Sequence, residues 1–300
     1  MIPALLAATQ LAAAPPELSR GIVVDPVGVV FFADSLRQAV WRLDPGRPPY
    51  IMLPGRPARD LFLDAAGNLS GDELHAAKLG IWEMTRDGVV HQLLEPSAAP
   101  PAGFGLLLDA AGNRYAWDGA GENSRVLRRA PDGRVTVLAG GGTRGRLDGP
   151  RGRARLGNVR GMALAPDGAI VVSDGAAIRR IAPDGEVRTL ADGFVLRDRS
   201  DDPRGGGLAE GYVLGVSVDA AGTIYAADYA NRRVLRIRSD GTLTSVAYSV
   251  KPWAPTGVFA RGDELYILEY GFKPPAEASG PRVRRLRPDG KIEVLAVAAP

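Results

Sequence analysis

Tight-turn signals recur along this chain at a nearly constant interval, and that recurrence limits the fold more than any other feature. Six segments each contain a Pro-Gly or Asp-Gly pair, whose glycines are Gly46, Gly88, Gly133, Gly185, Gly241 and Gly290. A second turn signal precedes each pair, at Gly28, Gly67, Gly112, Gly168, Gly222 and Gly262. Successive pairs are 42 to 56 residues apart. Self-similarity at such a period indicates a repeat architecture.

Each segment is predicted to form four short strands. In the fifth segment the apolar and β-branched runs between glycine turns are Val216–Val218, Ile224–Ala227, Val234–Ile237 and Leu243–Ala247. Such runs favour strands, and a sustained helical period with caps is lacking. Four-stranded units at this interval are typical of a β-propeller. The sequence therefore predicts an all-β fold, a six-bladed β-propeller of four-stranded antiparallel blades over residues 20–300. Strand exchange between its ends is not expected.

Two blades carry a resemblance to a known repeat. Blade four contains Val159-Arg160-Gly161, Pro166-Asp167-Gly168 and Asp174, and blade five has the corresponding run from Gly215 to Ile237. Both resemble the bacterial NHL repeat. The likeness covers roughly residues 20–298 and is weakest in blade two; a more distant similarity is to SMP-30/gluconolactonase-like propellers. It implies a fold and says little about activity, because propellers host many unrelated functions.

Residues 1–19 are expected to be a leader or an N-terminal arm. The small and apolar run from Ile2 to Ala14 has the length of a signal-peptide core and is too short to span a bilayer. This favours export, to the periplasm or the outside, over a cytoplasmic location, although a tethered terminus fits the same residues. No other stretch is apolar for 18 residues, so no membrane span is predicted.

Composition excludes several kinds of site. The chain has no cysteine, which removes disulfides and thiolate chemistry, and its two histidines are too few for a site of three imidazoles. Its 37 basic and 34 acidic residues give a net charge of +3, and such an even balance gives no reason to expect a nucleic-acid partner. A monomer is expected.

Strand order predicts which end of the propeller holds a site. In an antiparallel blade, the turns after the first and third strands lie at one end, and the other connections lie at the opposite end. The glycine turns belong to the first end. The long connections Gly140–Arg160, Asp192–Leu214 and Tyr270–Pro281 belong to the second. Because long connections in compact domains are often functional, we expect the site at the channel mouth on that end.

The residue before each innermost strand is expected to face this mouth. The six positions hold Arg20, Arg59, Phe104, Arg160, Leu214 and Thr256. In the calcium-dependent lactonases of the SMP-30 type, a Glu, an Asn and an Asp occupy three of these places, where this chain has Arg20, Arg160 and Leu214. Guanidinium and leucine side chains do not ligate calcium, so no metal and no cofactor are predicted.

The leading functional interpretation is a non-catalytic binding scaffold. Guanidinium groups hold carboxylates and phosphates, so the predicted partner is a small anionic molecule or a protein segment. Its predicted binding residues are Arg20, Arg59, Arg160, Trp253 and Tyr270. An alternative is that the arginines pair with acids of the chain itself, as Arg59 does if it pairs with the neighbouring Asp60.

A hydrolase or lyase at the channel mouth is the second interpretation. Its candidate catalytic residues are Glu73, His75, Glu210, Tyr212 and Glu269, since carboxylates and an imidazole serve as general acids and bases. Six acids recur at the ends of the second strands: Asp34, Glu73, Asp118, Asp174, Asp228 and Glu269. This repetition favours a role in shaping turns over a cation-binding ring.

A basic RNA-binding face is the third interpretation. The connection Gly140–Arg160 carries six arginines, Arg144, Arg146, Arg151, Arg153, Arg155 and Arg160. It lacks the aromatic residues on which bases stack. A solvated loop is therefore favoured over a nucleic-acid site.

Overall fold

Six four-stranded sheets make up the molecule. The computed structural model describes residues 18–75, 78–98, 103, 105–119, 123–194, 212–273 and 277–298. Within these residues every sheet takes its four strands in chain order, and all neighbouring strands are antiparallel. The predicted six-bladed β-propeller is confirmed. No helix in this part of the chain has the length and apolar character to cross a membrane.

The strands of the first three blades are the following. Blade one consists of β1 (Ile22–Val24), β2 (Val30–Asp34), β3 (Ala39–Leu43) and β4 (Tyr50–Pro54). Blade two consists of β5 (Leu61–Leu63), β6 (Leu69–His75), β7 (Lys78–Met84) and β8 (Val90–Ser97). Blade three consists of β9 (Leu107–Leu108), β10 (Arg114–Asp118), β11 (Asn123–Arg129) and β12 (Val135–Thr143).

The other three blades follow the same pattern. Blade four consists of β13 (Val159–Leu164), β14 (Ile170–Asp174), β15 (Ala177–Ile181) and β16 (Val187–Ala191). Blade five consists of β17 (Val213–Val218), β18 (Ile224–Asp228), β19 (Arg233–Ile237) and β20 (Leu243–Tyr248). Blade six consists of β21 (Trp253–Arg261), β22 (Glu264–Lys273), β23 (Glu277–Leu286) and β24 (Ile292–Val297).

The glycine turns form as predicted. Gly222, for example, has a φ of +81°, which glycine adopts without steric cost. Its N–H donates to the Asp219 carbonyl, and the Asp219 carboxylate accepts from the N–H groups of Ala221 and Thr223. This Asx-type arrangement satisfies the turn backbone locally. It explains why an Asp and a Gly recur together in the sequence.

Apolar side chains fill the spaces between blades. The alternate residues of a strand point to opposite faces of its sheet. Phe32 of blade one therefore packs with Leu268 of blade six, and Leu69 of blade two packs with Val40 of blade one. Neither face of a blade can be buried without a neighbour, which is why the repeats form one ring.

The ring closes without strand exchange. Blade one contains the first four strands and blade six the last four strands of the described residues, as expected. Hydrogen bonds connect blades six and one instead. The Tyr270 hydroxyl donates to the Ala33 carbonyl at 3.0 Å and accepts from the Ser35 N–H at 3.2 Å. Arg261 donates to the Asp25 carbonyl at 2.9 Å.

Glycines allow the innermost strands to approach closely. A Cβ placed on Gly257 would lie 2.1 Å from the Arg20 carbonyl oxygen of the next blade. On Gly161 it would lie 2.5 Å from the Leu214 carbonyl oxygen. These distances are well inside van der Waals contact, so only glycine fits. Four junctions, between blades one and two, four and five, five and six, and six and one, close on such backbone contacts.

Most acids at the ends of the second strands are structural. Asp34 is fully buried and accepts from the N–H groups of Leu36 and Arg37, and Asp228 accepts from the Asn231 N–H and from Arg233. The turn-shaping interpretation is confirmed for both residues. Breaking a buried ion pair of this kind costs about 3–5 kcal/mol.

One long connection differs from the prediction that it surrounds the channel mouth. Residues 147 to 155 pack along the outer wall of blade four, where Gly149 pairs with Val187 at the start of β16. Buried Arg179 holds the connection there, because it donates to Asp148 at 2.8 Å and to the Leu147 carbonyl at 3.1 Å. In the third connection, residues 271 to 273 pair with residues 277 to 279 and so extend β22 and β23.

Candidate functional site

A cavity of about 320 Å³ occupies the centre of the propeller. The innermost strands of all six blades line it. Three residues that the sequence analysis placed at the channel mouth, Arg20, Arg59 and Arg160, line it as well. Arg20 and Arg59 lie two residues before their innermost strands, and Arg160 is the second residue of β13. The cavity is large enough to hold a small organic molecule.

Arginines and aspartates alternate in one network at the mouth. The Arg20 guanidinium donates twice to Asp60, from Nε at 3.2 Å and from a terminal nitrogen at 2.7 Å. Arg59 lies between the two acids, with its Nε 3.7 Å from Asp60 and a terminal nitrogen hydrogen-bonded to Asp72. The side chain of Arg20 is 4% exposed and that of Asp72 is 6% exposed. Bidentate pairs in such partly desolvated places have a fixed geometry.

The carboxyl pKa of Asp72 is raised well above its ordinary value. Burial raises its pKa, the positive charge of Arg59 opposes the rise, and the negative charge of Asp60 adds to it, so that the pKa lies at about 6. The Asp60 N–H also donates to Asp72 at 2.6 Å. A carboxyl with such a pKa exchanges its proton close to neutral pH.

Both aspartates interrupt the repeat of the propeller. The position before the innermost apolar run is glycine in five blades, namely Gly21, Gly105, Gly161, Gly215 and Gly257, and Asp60 in blade two. The strand registers place Asp72 where the other blades have Ala33, Trp117, Ser173, Ala227 and Leu268. Two carboxylates at positions that are otherwise apolar or small indicate a role beyond the fold, because the fold is built five times without them.

The raised pKa of Asp72 predicts a measurable pH dependence of stability. The folded protein keeps the Asp72 proton between about pH 4 and pH 6, where the unfolded chain has lost it, so stability falls as pH rises through this window. The shift from 3.8 to about 6 corresponds to up to about 3 kcal/mol. In urea unfolding at several pH values, the free energy of unfolding of the native protein should decline relative to that of Asp72→Asn as pH rises. Parallel curves would contradict the assignment.

Two other residues predicted from the sequence, Tyr212 and Glu73, differ in their position relative to the cavity. Tyr212 joins the mouth indirectly, because the Arg160 guanidinium lies 5.7 Å from the centroid of its ring. Glu73 points away from the cavity: its carboxylate accepts from Gln92 at 2.9 Å and lies 4.0 Å from Arg56. Adjacent residues of a strand face opposite sides, so Asp72, and not Glu73, reaches the cavity.

Three residues of blade six also differ from their predicted roles. Glu269 is fully buried and paired with Arg282 and Arg284 at 2.6 Å and 2.7 Å. Tyr270 is fully buried at the junction of blades six and one, which leaves it no contact with a ligand. Trp253 stacks against Arg282, 4.3 Å from ring centroid to guanidinium carbon, and does not line the cavity. These side chains stabilise the blade and its junction.

Two predicted catalytic residues fall where the structure gives no side-chain information. The backbone of His75 ends β6, opposite Lys78, and its side chain lies outside the described residues. Glu210 lies outside the described residues entirely. Both remain predictions from the sequence.

The mouth does not fit a calcium ion of the lactonase type. Arg20 and Arg160 bring positive charge to two of the three relevant places, and Leu214 offers no side-chain oxygen. The oxygens of Asp60 and Asp72 accept hydrogen bonds from guanidinium groups. Among the described residues, no three His, Cys, Asp or Glu side chains are grouped as metal ligands.

Comparison with known proteins supports the fold. No family model matches the chain, and no curated protein matches its sequence. Among solved structures, the virginiamycin B lyase from Staphylococcus aureus is similar, with a TM-score of 0.56, 15% identity and coverage of 95% of this chain and 86% of that one. A gluconolactonase from Xanthomonas campestris is similar with a TM-score of 0.57, 17% identity and coverage of 84% of each chain.

A third similar structure is regucalcin, a calcium-binding protein from Agrobacterium tumefaciens, with a TM-score of 0.52, 18% identity and coverage of 85% and 83%. The structural neighbours therefore include lyase and gluconolactonase-like propellers. At these identities the likeness establishes the fold alone. The NHL label stays a prediction.

Proposed function

We propose that this chain is an enzyme that cleaves a small ester or lactone at the mouth of the central cavity, with Asp72 as the general base. One observation carries the proposal: a buried carboxyl with a pKa of about 6 lies beside guanidinium groups at the entrance to a cavity. A base with such a pKa is ionised at neutral pH and can still return its proton. Strongly perturbed carboxyls in a cleft are typical of functional sites.

The residues have complementary roles in the proposed hydrolysis. The Asp72 carboxylate removes a proton from water, and the water oxygen forms a bond to the carbonyl carbon. The carbonyl oxygen takes the negative charge, which the guanidinium groups of Arg59 and Arg160 stabilise. The bond from the carbonyl carbon to the leaving oxygen then breaks, and Asp72 returns its proton to that oxygen. The carboxylate product binds to the same arginines until it is released.

The enzyme hypothesis is favoured over the non-catalytic scaffold. The three arginines support the binding of an anion in either case. Asp60 and Asp72 favour catalysis, because negative groups in the same cavity weaken the binding of an anion. Two structural neighbours are named as a lyase and a gluconolactonase, so this fold supports enzymes of both kinds. In a lyase reaction, Asp72 would take a proton from carbon instead of water.

Turnover of a substrate panel tests the proposal. The full chain is incubated with 4-nitrophenyl esters and with aliphatic γ- and δ-lactones, and product formation is followed from about pH 5 to 8. We expect the rate to rise with pH through about 6, because the ionised form of Asp72 is the base. Hydrolysis adds one water to a lactone, whereas elimination leaves its mass unchanged. If carboxylates bind but no ester or lactone is cleaved, the chain is a binding scaffold.

A further inference from the structure

The central cavity is not symmetric about the propeller axis. In blades one, four, five and six, its lining comes from the innermost strands and the residues just before them. In blades two and three it reaches further out. The additional lining residues are Asp72, Leu79 and Ile81 of blade two and Tyr115, Ala116 and Trp117 of blade three. Asp72, Leu79 and Ile81 on one side and Ala116 on the other thus line a recess between these two blades, whereas Tyr115 and Trp117 pack in the core between blades three and four.

The replacement of one inner-strand glycine by Asp60 in blade two explains where this recess lies. Around the axis, glycines let one innermost strand rest on the backbone of the next, as Gly257 does on Arg20. Blade two has Asp60 at this position, whose side chain cannot be accommodated in so close a contact. Blade three faces blade two with the small residues Gly105 and Ala116. A bulky residue on one side and small residues on the other leave a space between the blades.

The recess is apolar beyond its entrance. Trp82 of β7 packs on the side of blade one. Since successive residues of a strand point to opposite faces, its neighbour Ile81 and, two residues earlier, Leu79 point towards blade three. Leu61, Phe62 and Leu107 also line the cavity. Asp72 lies at the boundary between these side chains and the arginines. A molecule that fills the whole cavity therefore needs a polar, anionic end and a hydrocarbon end.

We infer that the substrate is an ester or lactone of an aliphatic acid whose hydrocarbon chain enters the recess between blades two and three. This inference rests on the proposed function, because it takes Asp72 and the arginines as the place of bond cleavage. The apolar walls of the recess recognise the chain by excluding water from it. Each methylene placed in the recess should increase the affinity about threefold to fourfold.

A series of n-alkyl monocarboxylates, from butanoate to decanoate, tests the inference as product analogues. In calorimetric titrations of the full chain, we expect the affinity to rise about threefold to fourfold per methylene until the recess is filled. Leu79→Gln should flatten this rise. The matched control is Leu190→Gln, a partly buried leucine in the groove between blades four and five, which should preserve it. Affinity independent of chain length would overturn the inference, as would equal slopes in the two variants.

A second variant covers the case in which Leu79→Gln does not fold. Ala116→Leu adds a side chain from the opposite wall, so it should shorten the longest chain that still gains affinity. An unchanged chain-length limit in a folded Ala116→Leu protein would overturn the inference. Different results would reject the two proposals. If hydrophilic lactones are cleaved as fast as aliphatic ones, the recess does not bind the hydrocarbon chain, but the proposed cleavage by Asp72 stands. Chain-length-dependent binding without cleavage of any ester would reject the chemistry alone.

Discussion

Replacing Asp72 with asparagine should lower kcat/KM for the ester or lactone that the chain cleaves best by about 10²- to 10⁴-fold. Asparagine has nearly the same shape and keeps one of the two oxygens, which accepts either from Arg59 or from the Asp60 N–H. It cannot accept a proton from water at neutral pH. The loss should therefore appear mainly in kcat. The remaining activity should no longer rise with pH through about 6, as measured in initial-rate profiles.

Glu73→Gln is the matched control for Asp72→Asn. Glu73 is the next residue of β6, but its carboxylate accepts from Gln92 and does not line the cavity. Its replacement should leave kcat/KM and the pH profile close to those of the native chain. If both variants lose activity equally, the effect belongs to the stability of blade two. If only Glu73→Gln loses activity, the assignment of the base to Asp72 is wrong.

Gly257→Ala should destabilise the propeller by about 3 kcal/mol or more, because the new methyl group meets a backbone that cannot move aside. Its Cβ would lie 2.1 Å from the carbonyl oxygen of Arg20 and 2.9 Å from the carbonyl carbon. The overlap can be removed only if blades six and one move apart, and this movement exposes the apolar side chains at their junction. A fall of roughly 10 °C in Tm is expected by calorimetry.

Gly145→Ala separates this steric effect from the general cost of replacing a glycine. Neither glycine has a positive φ, so alanine is allowed by the backbone at both positions. At Gly145 the nearest atoms belong to the flexible side chain of Arg155, at 3.4 and 3.5 Å. We expect this variant to retain the native Tm within about 1 to 2 °C. Equal losses in the two variants would refute the close-contact explanation.

The blades could be predicted from the sequence because their signals are local. An Asp and a Gly in a turn make their hydrogen bonds within four residues, as at Asp219 and Gly222. The blade-five strands agree with those observed to within three residues at each end. Long-range contacts leave no such local pattern. The course of residues 147–155 depends on Arg179, which is tens of residues away from Asp148 in the chain.

The candidate site was predicted in part. Arg20, Arg59 and Arg160 line the cavity as expected. The candidate Glu73 does not line the cavity, whereas its neighbour Asp72 does, because the face of a strand is decided by its register with neighbouring strands. The signal for Asp60 and Asp72 was present in the sequence. Aligning the repeats residue by residue shows that blade two has carboxylates where other blades have glycine, alanine, serine or apolar residues.

Local turn chemistry and the spacing of apolar runs determined the number of blades and the order of their strands. These properties depend on interactions within one repeat, so the sequence alone carries them. Only the tertiary structure decided how the ring closes, which of two adjacent acids meets the cavity, and where the cavity widens. Each of these depends on the packing of one blade against another. A side chain at Asp60 in place of glycine changes that packing, because the innermost backbones at the four junctions with glycine contacts leave no room for a Cβ.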